Sequence, residues 1–125
     1  MTIDKNKTIV QAFYQKALND RDADAARSSI GTTYHQHNPL IGDGLEGLHK
    51  YQEWISAHYP KSHNEVLRVF AEGDYVILHV HRKRTPEARG DAIVDIFRLE
   101  NGKIVEHWDV IQPVPKTSAN PNTMF

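Results

Sequence analysis

Three ionisable side chains, Asp95, His107 and Asp109, sit in segments otherwise built of Val, Ile and Phe, within residues 92–112, AIVDIFRLENGKIVEHWDVIQ. A carboxylate in apolar surroundings is costly unless it is paired or used, so such residues mark candidate chemistry. Two carboxylates and an imidazole suit acid/base work on a carbonyl compound. Asp109 would remove a proton alpha to the carbonyl, while Asp95 and His107 stabilise the enolate or relay the proton. A base of this kind contributes roughly a hundred- to ten-thousand-fold in rate. His37 and Asn38, beside the glycine-bearing loop 40–44, are candidates for orienting the substrate. His79 joins them if the histidine face of its strand points inward, and Trp54 is a candidate lining residue. His35 and His81 share faces with His37 and His79.

Those roles require the three residues to share one face of a hairpin turning at Asn101-Gly102, a strong short hairpin signal. A two-residue turn pairs Glu100 with Lys103 and sets Asp95 beside Trp108, leaving His107 and Asp109 on the other side. A three-residue loop with a bulge at Gly102 pairs Leu99 with Lys103 and sets Asp95 opposite His107. A shift of one residue exchanges the faces, and both registers remain open. The bulged one is preferred, because it gathers Ile93, Asp95, Phe97, Val105, His107, Asp109 and Ile111 into an apolar wall with convergent polar groups, as a ligand pocket requires.

The elements that would position this wall follow from periodicity. Residues 5–20 carry an apolar stripe at helical spacing, with Asp4 as N-cap. Residues 23–29 form a second, short helix. Residues 32–38 read as a strand stopped by Pro39, and residues 46–59 as a third helix with Leu48, Tyr51, Trp54 and Ile55 inward. Strands follow at 64–72 and 75–83, then the hairpin. Residues 113–125 contain three prolines and no periodicity, so they form an extended tail. Helices first and strands after give an α+β fold with a curved antiparallel sheet, helices on one face, in one domain over residues 1–125.

Composition narrows the function classes. The chain has 125 residues and a formal net charge of −1, which offers no electrostatic footprint for nucleic acid or an anionic membrane. Cysteine is absent, which excludes disulfides, thiolate metal sites and thiol nucleophiles. Residues 1–10 lack an apolar signal core and no run approaches a membrane span, so a cytoplasmic protein is expected. Eight histidines are spread along the chain. His37, His79 and His107 with a carboxylate could form a metal ligand set, but no tight motif such as HExxH is present, and no metal is expected. Trp108 and Glu106 fall on the outer side of the sheet, where an exposed tryptophan suggests cover by a second copy in a homodimer.

The segments HNP, EGDYVILHVH and DIFRLENGKIVEHWDVIQPVP, with NPNTMF at the end, resemble the SnoaL-like polyketide cyclase group of the nuclear transport factor two-like superfamily. The resemblance runs over essentially the whole chain. It implies a cone: a bent sheet wrapped around three N-terminal helices, with a deep internal pocket. It also implies a cofactor-free enzyme acting on a small hydrophobic carbonyl compound by aldol condensation, cyclisation or isomerisation, with an aspartate of the last strand as acid/base at Asp109 and a second polar pocket residue at Asp95. In the related ketosteroid isomerases an aspartate at the Asp95 position donates to an oxyanion. Their base falls at or near Asn38 and their helix-one tyrosine near Phe13 or Tyr14. Asparagine is not a base, so isomerase chemistry by that route is not expected. The same cone could serve as a non-catalytic ligand-binding or dimerisation module.

Overall fold

The computed structural model describes residues 2–125. Helix α1 spans Ile3–Phe13 and continues as a π-helical segment, Tyr14–Asn19; α2 is Ala23–Ser29 and α3 Gly44–His58. The strands are β1 Ile30–Gln36, β2 His63–Glu72, β3 Tyr75–Lys83, β4 Asp91–Glu100 and β5 Lys103–Pro113, in the sheet order β1-β5-β4-β3-β2. The α+β arrangement of three helices against one curved sheet is as the sequence implies. The N-cap of α1 is Thr2 rather than Asp4: its hydroxyl accepts from the Lys5 amide. The sheet is not wholly antiparallel, since β1 runs parallel to β5. A parallel neighbour needs a long crossover, and the chain from α3 through β4 supplies it.

The helices bury one stripe each against the concave face. Val10, Phe13, Tyr14 and Ala17 do so from the first helix, Leu48 and Ile55 from α3. Val76, Leu78 and Val80 of β3 answer them, together with Ile93, Phe97 and Leu99 of β4. Burying each of the larger side chains is worth roughly 1.5–3 kcal/mol. Gln52, between Leu48 and Ile55 on the same stripe, is buried by donating to the Ala17 and Asp22 carbonyls. Trp54 lies off that stripe.

The hairpin combines features of both expected registers. Asn101 and Gly102 both have positive φ, 49° and 77°, so the turn is the two-residue type with Glu100 opposite Lys103. Leu99 then faces Ile104, but Arg98 faces Glu106, leaving Val105 as an extra residue. The bulge therefore sits in β5 at Val105 and not at Gly102. Ile104 and Val105 are adjacent and both are buried, but in different places: Ile104 joins the core on the concave face, whereas Val105 packs beside β1, where a Cβ added at Gly31 would meet its methyl. Beyond the bulge Phe97 faces His107 and Asp95 faces Asp109. Of the expected inward residues, Ile93, Asp95, Phe97, His107 and Asp109 line the concave side and Ile111 packs beside the core, but the expected pairing of Asp95 with His107, and of Ile93 with Asp109, is not found.

The outer face carries Arg98, which bonds Glu106 and Glu100, and His37, which bonds Glu106 at 2.7 Å. Arg98 first, and His37 after it, hold the Glu106 carboxyl below its ordinary range. The tail crosses this side too, and the Phe125 ring stacks on His81 at 3.8 Å. No helix is long and apolar enough to cross a membrane.

Helix α3 begins against the loop that carries Asn38. A Cβ added at Gly47 would fall on the Gly42 carbonyl. Alanine there, although a better helix former by about 1 kcal/mol, should force the loop away and lower stability by about 1–3 kcal/mol. Thermal unfolding of Gly47→Ala checks this; a variant as stable as the parent would mean that the close approach is not needed.

Candidate active site

Asp95 and Asp109 are directly paired across β4 and β5, on the concave face. His107, two residues before Asp109, lies on the same side. Asp95 is 3% exposed and His107 6%. His107 Nε2 lies 2.7 Å from Asp95 Oδ1, and its Nδ1 lies 2.8 Å from Gln36 Oε1. That amide oxygen already accepts from the Asn38 backbone N–H at 2.9 Å, which fixes it as an acceptor. Both imidazole nitrogens therefore face acceptor oxygens, and one proton is held between His107 and Asp95.

The second oxygen of Asp95 accepts from the Tyr14 hydroxyl at 2.7 Å, and that hydroxyl accepts from Asn64 Nδ2 at 2.9 Å. Burial, then the charge of Asp95, pushes the Tyr14 phenol well above the ordinary tyrosine range, so it stays a donor. Tyr14 is the first residue of the π-helical segment, a kind of distortion common at functional sites. Asn19, the last residue of that segment, clamps Asn64 by two bonds, to its backbone N–H and its carbonyl. The polar chain thus runs from β2 through the first helix to β4, β5 and β1.

Asp109 is half-buried and is held differently. The Asn38 side-chain amide reaches both of its oxygens, at 3.1 and 2.8 Å, and among the described residues no cation lies within ion-pair distance. Asn38 is itself fixed, its Oδ1 accepting from the Leu40 N–H. Asp109 is therefore the one carboxylate of the group with lone pairs open to the cavity.

These groups line an inner chamber of about 30 Å³, walled by Phe13, Leu48, Ile93 and Phe97. That is room for about one or two waters, or for a carbonyl group. Ile41, Tyr51 and Arg82 also wall a wider vestibule of about 540 Å³ towards the mouth. The vestibule has the size of an ordinary small-molecule site.

Several expected site residues lie elsewhere. His37 follows the pleat outwards from Gln36: it bonds Glu106 and stacks on Trp108 at 4.8 Å, so it cannot touch a substrate in the chamber. His79 is also on the outer face, because Val76, Leu78 and Val80 claim the concave side. It bonds Arg68 and lies under Phe125. Trp54, 42% exposed, lines only the vestibule. The suggested metal set of His37, His79 and His107 is thereby dispersed. The ligand atoms of Asp95, His107 and Asp109 do lie within 4.8 Å of one another. A metal held there would have to displace the proton between Asp95 and His107 and the Asn38 amide from Asp109.

Tyr14 entered the sequence reading only through the isomerase resemblance, and Gln36 and Asn64 not at all. Gln36 carried one readable signal: it alternates with His35 and His37 and so shares a face with Tyr34 and Asn38. Nothing in the sequence of β2 marks Asn64.

A family model for the SnoaL-like domain matches residues 10–107. The chain belongs to the SnoaL-like family, within the nuclear transport factor two-like group. No curated protein matches the sequence significantly. Among solved structures, a candidate polyketide cyclase from Bacillus cereus is similar, with TM-score 0.74 and 19% identity over 86% of this chain and 74% of that one. IdmH from Streptomyces antibioticus, also a candidate polyketide cyclase, gives 0.70 and 20% over 85% and 91%. AclR from Streptomyces galilaeus, a candidate hydroxylase, gives 0.71 and 20% over 89% and 91%. At these identities the likeness establishes the cone fold, and the differing names leave the reaction to be argued from the site.

Removing the Tyr14 hydroxyl leaves one Asp95 oxygen and the Asn64 amide without a partner. Tyr14→Phe should cost about 1–3 kcal/mol at neutral pH. Because the folded phenol is held protonated, this advantage persists below the unfolded tyrosine value of about 10 and shrinks as pH rises above it. Denaturant unfolding of both proteins across pH 7–11 measures the difference, and equal stability at pH 7 would contradict the bond.

Proposed function

We propose that this chain is a cofactor-free, cytoplasmic acid/base enzyme acting on a small hydrophobic carbonyl compound. The observation that carries the reading is the convergence of Asp95, His107 and Asp109 on one small chamber, with only Asp109 left open. The substrate carbonyl enters the chamber while the body of the molecule lies in the vestibule. Asp109 takes the proton alpha to the carbonyl; the C–H bond breaks and its electron pair moves into the enolate. The proton held between His107 and Asp95 meets the developing oxyanion, with Tyr14 fixing Asp95 from behind. The enolate carbon then attacks a second carbonyl, whose π pair becomes an alkoxide that takes the proton back from Asp109, giving aldol addition or cyclisation; alternatively Asp109 returns that proton to another carbon of the enolate system, giving isomerisation. Asn38 orients the base and is a positioning residue. His37, His79 and any metal have no part in this scheme.

Asp109→Asn keeps the shape and removes the base. Exchange of the alpha protons of small aryl ketones and β-keto esters into D2O, followed by NMR, should fall about a hundred- to ten-thousand-fold in this variant. Unchanged exchange, with ligand still bound, would make the cone a binding module instead.

The outer face supports a homodimer. Val110 is 67% exposed and Phe70 56%, with Val94 and Trp108 on the same side of the sheet. Such a band on one sheet is seldom left to water. In sedimentation experiments the parent should run as a dimer and Val110→Glu as a monomer; a monomeric parent at micromolar concentration would remove this reading.

A further inference from the structure

The vestibule is cationic at one end, where among the described residues no carboxylate pairs with Arg84. Arg84, just beyond β3, has its guanidinium carbon 5.7, 5.4 and 5.8 Å from the ring centroids of Tyr51, Trp54 and Tyr59. Three ring faces around one cation hold it by their quadrupoles without neutralising it. Its Nη2 donates to the Tyr51 hydroxyl at 2.8 Å and its Nη1 to Ser62 Oγ at 3.2 Å. A guanidinium has five N–H groups, so others remain free. No carboxylate lies within ion-pair distance of Arg84 among the described residues, whereas the neighbouring Arg82 is taken by Asp91 at 3.0 Å. Among the described residues no aspartate or glutamate lines the vestibule; Lys50 at its rim is paired with Glu46 at 3.1 Å, which leaves Arg84 as the cation without a carboxylate.

We infer that the vestibule selects an anionic substrate, binding a carboxylate or sulfonate-like group at the free edge of Arg84. The two ends of the cavity have opposite character: Asp95 and Asp109 lie inside and repel an anion, and Arg84 lies outside and attracts one. A keto acid can therefore enter in one orientation only, acid outward and carbonyl inward. Ile41, Ile111 and the ring of Trp54 take the flat apolar body between them. The carbonyl half of this statement rests on the proposed reaction; the anion half stands on the vestibule alone. Arg84 is a specificity-determining residue, and its planar fork, already oriented by Tyr51 and Ser62, gains an anion with little further ordering.

The test uses two fluorescent probes on the full chain: 8-anilinonaphthalene-1-sulfonate, and N-phenyl-1-naphthylamine, which has the same ring frame without the charge. Arg84→Met should weaken the sulfonate about tenfold and leave the neutral probe unchanged, with Arg84→Lys between. In a Trp108→Phe background the remaining tryptophan is Trp54, and the sulfonate should quench it. On the parent protein, added NaCl should weaken the sulfonate and not the neutral probe, a measurement that needs no variant to fold. Failure of the parent to bind the sulfonate, an unquenched Trp54, equal binding by Arg84→Met, or indifference to salt would each overturn the inference. Asp109→Asn separates the two readings. Exchange unaffected by that variant, with sulfonate binding still dependent on Arg84, would remove the proposed reaction and leave the anion site standing; lost exchange with sulfonate binding independent of Arg84 would do the reverse.

Discussion

The contact between His107 and Asp95, 2.7 Å long and closed to solvent, sets the terms for the rest of the molecule. A carboxylate and an imidazole cannot be buried together unless every remaining lone pair and N–H is also met. Two oxygens and two nitrogens therefore require partners, and the fold draws them from distant parts of the chain. Tyr14 comes from the first helix and Gln36 from the edge strand. Asn64 comes from the far strand to hold Tyr14. The helices are thus tied to the sheet by a polar chain as well as by the apolar stripe around it. Such a chain also dictates orientation, because each donor has a single place to point.

What makes the pair useful is the contrast with Asp109. That carboxylate is directly across the sheet, yet it is left with an amide for company and a cavity in front. In the proposed reaction two acids on one wall, one enclosed and partnered and one open, would divide the roles of proton holder and proton acceptor by environment alone. The bulge at Val105 is the small backbone feature that permits it. Without it the two-residue turn would place Asp95 opposite Trp108, and His107 and Asp109 would leave the concave face. That single unpaired residue brings Asp95, His107 and Asp109 onto one face.

The cavity has two parts with different tasks. The inner chamber has room for little more than a carbonyl group, so in the proposed reaction recognition of a substrate's bulk would fall to the vestibule. There the aromatic residues of α3 and the loop after it surround Arg84, and the charge changes sign from the interior to the mouth. The proposed chemistry and the inferred selection would thus be separated along the cavity, with Tyr51 and Arg82 lining both parts.

Much of this was legible before any coordinates. The order of helices and strands and the turn at Asn101-Gly102 follow from patterns local to the chain, whereas the inward set of the last two strands was open between two registers until the bulge at Val105 decided it. The assignments that failed are those needing knowledge of which face of an isolated strand turns inward. His37 and Asn38 are neighbours, and the pleat sends one outwards and the other onto Asp109. The histidines of β3 lost the concave side to three branched aliphatic residues that bury more apolar surface. The chain of bonds behind Asp95 could not be found from local pattern, since Tyr14, which donates to it, lies 81 positions away, and Asn64, which donates to Tyr14, meets that hydroxyl only once the sheet has closed around the helices. Sequence settled which residues could do chemistry; packing over long separations settled which of them share a solvent-poor space, and that sharing is what turns ionisable side chains into a site.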